Sequence, residues 1–118
     1  MTRTPFARPP APTAHDLKLW EALVDKADRS AAKPATDPGP LMRAGDRAFK
    51  ARMPIGQQVR NSACVRLVAL AKLWWRLSPE VRLERAEDLA RVAAEVRGVL
   101  VDPTGSEVGR RVLPPADR

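Results

Sequence analysis

Eight basic residues lie between positions 43 and 76 of this sequence: Arg43, Arg47, Lys50, Arg52, Arg60, Arg66, Lys72 and Arg76, against a single acid, Asp46. Lysine and arginine at this density suit a phosphate backbone, because each phosphate they neutralise releases a condensed counterion. The 118 residues hold 21 Lys and Arg against 14 Asp and Glu, a net charge of +7. Residues 31–54 and 55–78 carry +3 and +4, whereas 15–30 and 79–100 each come to −1. The competing role for these cations is simply to keep helix surfaces hydrated. What separates the two readings is whether the eight side chains share one continuous face.

Residue types for catalysis are sparse. His15 is the only histidine, Cys64 the only cysteine, and there is no tyrosine. An intrachain disulfide and a cysteine-based zinc site are excluded, and most histidine-dependent chemistry goes with them. His15 lacks the partners that a catalytic or metal-binding histidine needs and reads as a surface residue. Cys64 has Arg60 one helical turn before it, the kind of neighbour that activates a thiol. Its apolar surroundings read instead as burial. Glu80, Glu84, Glu87, Asp88 and Glu95 are interleaved with Arg82, Arg85, Arg91 and Arg97. That pattern makes a solvated charged face, not a carboxylate pair for acid–base work. No glycine-rich phosphate loop, HExxH or GxSxG occurs. The sequence therefore points to a non-enzyme with no catalytic residue, metal site or cofactor.

The three tryptophans, Trp20, Trp74 and Trp75, have two uses. Aromatic rings beside cations stack the bases of single strands, and large rings also anchor cores and interfaces. Core or interface use is the expectation here. Trp75 lies about 100° round a helix from Trp74 and cannot share its contacts. Trp75 therefore falls with Cys64 and Val68 on a second apolar strip, predicted to meet another chain.

The elements that must position these groups are marked out by 12 prolines. They leave four proline-free windows, 13–33, 41–53, 55–78 and 80–102, and proline inside a helix costs about 3 kcal/mol. Four helices are the natural reading. The first spans about 13–29, opened by Thr13 and Asp16 at capping-box spacing, with Leu17, Trp20, Leu23, Val24 and Ala27 at helical intervals. The second, about 40–52, has Asp37-Pro38 or Pro40 at its start and Gly45 in its middle. The third, about 57–77, carries Val59, Ala63, Leu67, Leu70, Trp74 and Leu77 within roughly 80° of one another. Cys64, Val68, Ala71 and Trp75 follow the second strip, so this helix is either sandwiched between neighbours or shared with a second chain. The fourth, about 79–100, opens with Ser78-Pro79-Glu80, a cap, a proline and an acid in the dipole-favoured first turn.

The third and fourth helices, joined at Ser78-Pro79, are expected to form an antiparallel hairpin. The fold expected is all-α, a small three- or four-helix domain over 13–102 centred on that hairpin. A mobile proline-rich arm (1–12) and a flexible tail (103–118) flank it. A helix-turn-helix reading of the second and third helices runs against the apolar middle of the third. Only Gln57, Gln58, Arg60, Asn61 and Ser62 at its start offer base-reading groups.

No signal sequence or membrane span is legible, since Arg66, Lys72 and Arg76 interrupt the most apolar run. The cytoplasm is the expected compartment, and a lone reduced thiol fits it. Two functions follow. One is a basic module that binds nucleic acid non-specifically through phosphate contacts, as part of a larger assembly. The other is an adaptor whose two-sided third helix meets a protein partner or a second copy.

Overall fold

Thr13 and Asp16 cap each other at the start of the first helix, as their spacing predicts. The Asp16 N–H donates to Thr13 Oγ1 (3.1 Å), and the Thr13 N–H donates to Asp16 Oδ2 (2.9 Å). This is a computed structural model that describes residues 12–54 and 62–101. Within them helix α1 runs Ala14–Ala32, α2 Gly39–Lys50, α3 Ser62–Leu73 and α4 Pro79–Val101, with a 3-10 turn, Trp74–Arg76, after α3. The described residues are all-α.

The local reasons are the expected ones, with adjustments. Helix α1 continues three residues beyond the predicted Arg29 and stops just before Pro34, where the Lys33 N–H closes on the Arg29 carbonyl (3.0 Å). Pro38, the residue before α2, has no side-chain cap to offer. Asp37 reaches past it to accept the Gly39 N–H (3.0 Å). Ser78 Oγ accepts the Val81 N–H (3.2 Å) at the head of α4. The predicted start of α3 near residue 57 lies outside the described residues, as do the expected terminal arm up to residue 11 and the tail from 102.

Consecutive helices run antiparallel, and α4 closes back on α1. Trp20 Nε1 in the first half of α1 donates to the Arg52 carbonyl just past the end of α2 (3.1 Å). Asp46 of α2 faces Lys72 of α3, and Met42, one turn earlier, lines the same groove as Trp75 and Arg76. Arg66 near the start of α3 pairs with Glu95 late in α4 (2.6 Å). Arg97 meets Asp28 of α1 (2.6 Å), while Leu100 lies beside Glu21 and Val24. Each helix packs on its two neighbours in the ring α1–α2–α3–α4. The predicted α3–α4 hairpin is half of this four-helix arrangement.

The core joins Trp20, Leu23 and Val24 of α1 with Leu41 and Ala48 of α2, Leu67 and Trp74 from the third window, and Leu89 and Val96 of α4. Both apolar strips of α3 are used within the chain. Ala63, Leu67 and Trp74 of the first strip are buried, and so are Cys64 (0% exposed), Val68 (7%) and Ala71 of the second. The expected partner strip is therefore corrected. Cys64 and Val68 belong to the chain's own core, and Trp75 alone of the three presents surface. The cause is Gly45. A Cβ built there would stand 2.9 Å from the Ala71 Cβ, so only glycine lets α2 lie close enough to cover that side of α3. Its helix penalty of about 1 kcal/mol is offset by this close packing.

One charged side chain is also buried. Arg82, 8% exposed, donates from Nε to the Trp74 carbonyl (3.0 Å), which also accepts the Leu77 N–H (3.1 Å) at the end of the 3-10 turn. Trp74 Nε1 has no partner in its buried position. Among the described residues no helix is long and apolar enough to cross a membrane.

Candidate functional site

Arg43, Arg47 and Lys50 recur at i, i+4 and i+7, which places them within about 60° of one another on α2. They lie opposite Leu41, Ala44, Gly45 and Ala48, the buried stripe of the same helix. All three are exposed and make no ion pair or ring contact within the described part of the molecule. The stripe spans seven residues of helix, about 10 Å. Arg47 and Lys50 fall in the last turn, where the helix dipole favours cations.

Helix α3 and its 3-10 turn add Lys72 and Arg76 across a groove of about 380 Å³, which Met42 and Asp46 line from the α2 side. Lys72 Nζ lies 5.0 Å from the centre of the Phe49 ring and 3.8 Å from Asp46 Oδ1. The Arg76 guanidinium lies 5.1 Å from the Trp75 ring. Both rings are open to solvent, Phe49 at 65% and Trp75 at 49%. Asp46 is the only carboxylate on this pair of helices. At 3.8 Å, with both side chains half exposed, its pairing with Lys72 is worth under about 1 kcal/mol. The face keeps its positive charge.

The other three predicted cations are placed differently. Arg66 turns to the far side of α3 and pairs with Glu95 of α4 (2.6 Å). Arg52 follows α2 and is drawn to α1, where its carbonyl holds Trp20. The Asp16 carboxyl there is held below its usual range, first by the Thr13 N–H and, among lesser causes, by the Arg52 backbone and charge. Arg60 lies outside the described residues. Five of the eight are therefore exposed on α2, α3 and the 3-10 turn: Arg43, Arg47 and Lys50 on the outward side of α2, and Lys72 and Arg76 beside the groove.

Sequence reasoning did not single out Phe49. The signal was present in the spacing. Phe49 follows the buried Ala48 by one residue, about 100° round, as Trp75 follows Trp74. His15 is exposed and Cys64 is a buried thiol. Among the described residues no group of three or more His, Cys, Asp or Glu is placed to hold a metal ion. No protein-family model, curated protein or solved structure matches the chain.

Proposed function

We propose that this protein is a non-enzymatic basic helical module that binds nucleic acid through phosphate contacts on the α2–α3 face. It acts as a subunit or accessory of a larger assembly in the cytoplasm. One observation supports the reading: five exposed cations on α2, α3 and the 3-10 turn have a single, weakly paired carboxylate among them. Elsewhere several cations meet carboxylates of the chain itself, with Arg97 on Asp25 and Asp28, Arg91 on Asp88 and Arg66 on Glu95. Unpaired exposed charge is what a polyanion can use, since its phosphates displace only water and small ions.

The test is fluorescence anisotropy on a generic oligonucleotide at several salt concentrations. Three to five phosphate contacts give a slope of log K on log salt of about −2 to −3.5 on a single strand, or about −3 to −4.5 on a duplex. Reversing charge in the double variant Arg43→Glu/Arg47→Glu flattens the slope by about one unit or more. Binding no tighter than about 100 μM at low salt ends the reading, because that is the weak limit for non-specific contacts.

A second reading, a protein-binding adaptor, has its own observation. Val65 and Leu73 of α3 are exposed apolar side chains that phosphate contacts leave unused. A partner helix laid along α3 would cover them and set its acids against Lys72 and Arg76. Sedimentation of the purified chain counts copies, and pull-down with and without nuclease separates a protein partner from a nucleic-acid bridge.

A further inference from the structure

The cations of this face account for attraction to any polyanion. They do not account for Phe49 and Trp75, the two exposed rings that stand among them. Each ring is partnered by a cation of its own, Lys72 at 5.0 Å and Arg76 at 5.1 Å, and Phe49 keeps 65% and Trp75 49% of its surface open. Trp75 lies at the Met42 end of the groove between α2 and α3. Phe49 is seven residues farther along α2, about 10 Å. Trp75 thus lines the groove and Phe49 lies against Lys72, which lines it too, while the Arg43–Arg47–Lys50 stripe runs along the outward side of α2.

Resting on the phosphate-binding reading, we infer that the ligand is single-stranded nucleic acid, with unpaired bases stacking on Trp75 and Phe49 while the flanking cations hold the backbone. A duplex keeps its bases stacked on one another and offers these rings nothing but sugar and phosphate. A single strand exposes the π-face of every base, which any aromatic ring can take regardless of sequence. A cation beside each ring adds a phosphate contact at the position where a base docks and strengthens the stack through the ring's electron-rich face. Asp46, between the rings, is a hydrogen-bond acceptor within reach of a base amino group and repels phosphate from the groove floor. That division keeps the backbone on the outer edge and turns the bases inward.

The tryptophans supply a direct readout. Trp20 and Trp74 are buried, at 1% and 0% exposure, so Trp75 is the only described tryptophan a ligand can touch. The experiment titrates the full chain with an oligothymidylate and with a mixed-sequence duplex of equal length, following anisotropy and intrinsic tryptophan emission. The expected result is tighter binding of the oligothymidylate with quenching of Trp75 emission. Trp75→Ala and Phe49→Ala should each lower single-strand affinity about 5- to 150-fold and leave duplex affinity within about twofold. Circular dichroism checks each variant, and Phe49→Ala carries the test alone if Trp75→Ala fails to fold.

Equal or tighter duplex binding, no emission change and ring variants that bind like the parent overturn the inference. If Arg43→Glu/Arg47→Glu still weakens binding in that case, the phosphate reading survives. Failure of both oligonucleotides to bind, at any salt, removes that reading as well. Loss of self-association in Trp75→Ala with nucleic-acid affinity unchanged makes the rings a protein interface and also overturns the inference.

Discussion

The α1–α4 and α2–α3 halves of the bundle solve the same packing problem with different surfaces. Helices α1 and α4, 19 and 23 residues long, carry seven basic and nine acidic side chains. They pair charge across the seam, with Arg97 on Asp28 at 2.6 Å and on Asp25 at 3.7 Å. Helices α2 and α3, 12 residues each, carry with the 3-10 turn six basic side chains and one acid. They approach through Gly45 and Ala71 instead. Half-exposed pairs such as Arg97–Asp28 add under about 1 kcal/mol each, so the difference matters little to stability. It matters to what each half can do. One half nearly balances its cations with carboxylates of its own; the other carries an excess of cations, with two exposed aromatic rings among them.

The sharpest break between buried and presented surface falls within one dipeptide. Trp74 is fully buried and Trp75 half exposed. Trp74→Ala should cost about 3–5 kcal/mol of folding stability, as large core truncations do, and Trp75→Ala under about 1 kcal/mol. Urea denaturation followed by circular dichroism measures both. Equal losses would make Trp75 ordinary core and leave the α2–α3 face without its ring.

Glycine substitutions compare the two halves directly. Gly98 of α4 has nothing within 4 Å of where a Cβ would stand. Gly98→Ala should therefore stabilise by about 0.5–1 kcal/mol through helix propensity alone. Gly45→Ala gains the same propensity but sets its new methyl 2.9 Å from the Ala71 Cβ, on a helix that cannot yield locally. Overpacking costs about 1–3 kcal/mol, so the net effect is a loss of up to about 2 kcal/mol. Thermal melts of the two variants should shift in opposite directions. Shifts of one sign would mean that the α2–α3 contact is looser than the structure has it.

The smallest effect lies where the halves meet, at Asp16 beside Arg52. Asp16 has a pKa below its unfolded value, chiefly because its carboxylate accepts the Thr13 N–H. A lowered folded pKa means the contribution is complete above the ordinary carboxylate range and is lost as pH falls through the folded value. Melting temperature should fall in acid, and Asp16→Asn should reduce the share of that fall due to this group. An identical acid profile in the variant would assign the loss to other carboxylates.

The residues that spacing made legible are those whose roles are local. Thr13 with Asp16, Ser78 with Pro79 and the proline-free windows state the helices outright, because a cap or a missing N–H acts within one turn. The buried faces of Leu67 and Leu89 follow from period alone. The candidate face was legible only in its α2 part, where Arg43, Arg47 and Lys50 share one stripe through helical geometry. Arg66 and Arg52 were grouped with it because charge counted along a chain does not say which neighbour a side chain will meet. Glu95 and α1 claim them, and both lie far away in sequence.

This sequence by itself determined four helices, their caps and a basic middle, since each depends on short-range sterics and on composition. Only the tertiary structure decided that both strips of α3 are covered within the chain and that five cations and two rings remain outside. Those outcomes depend on how closely α2 can approach. The missing side chain of Gly45 sets that distance, through a contact with Ala71 that exists only once the helices are packed.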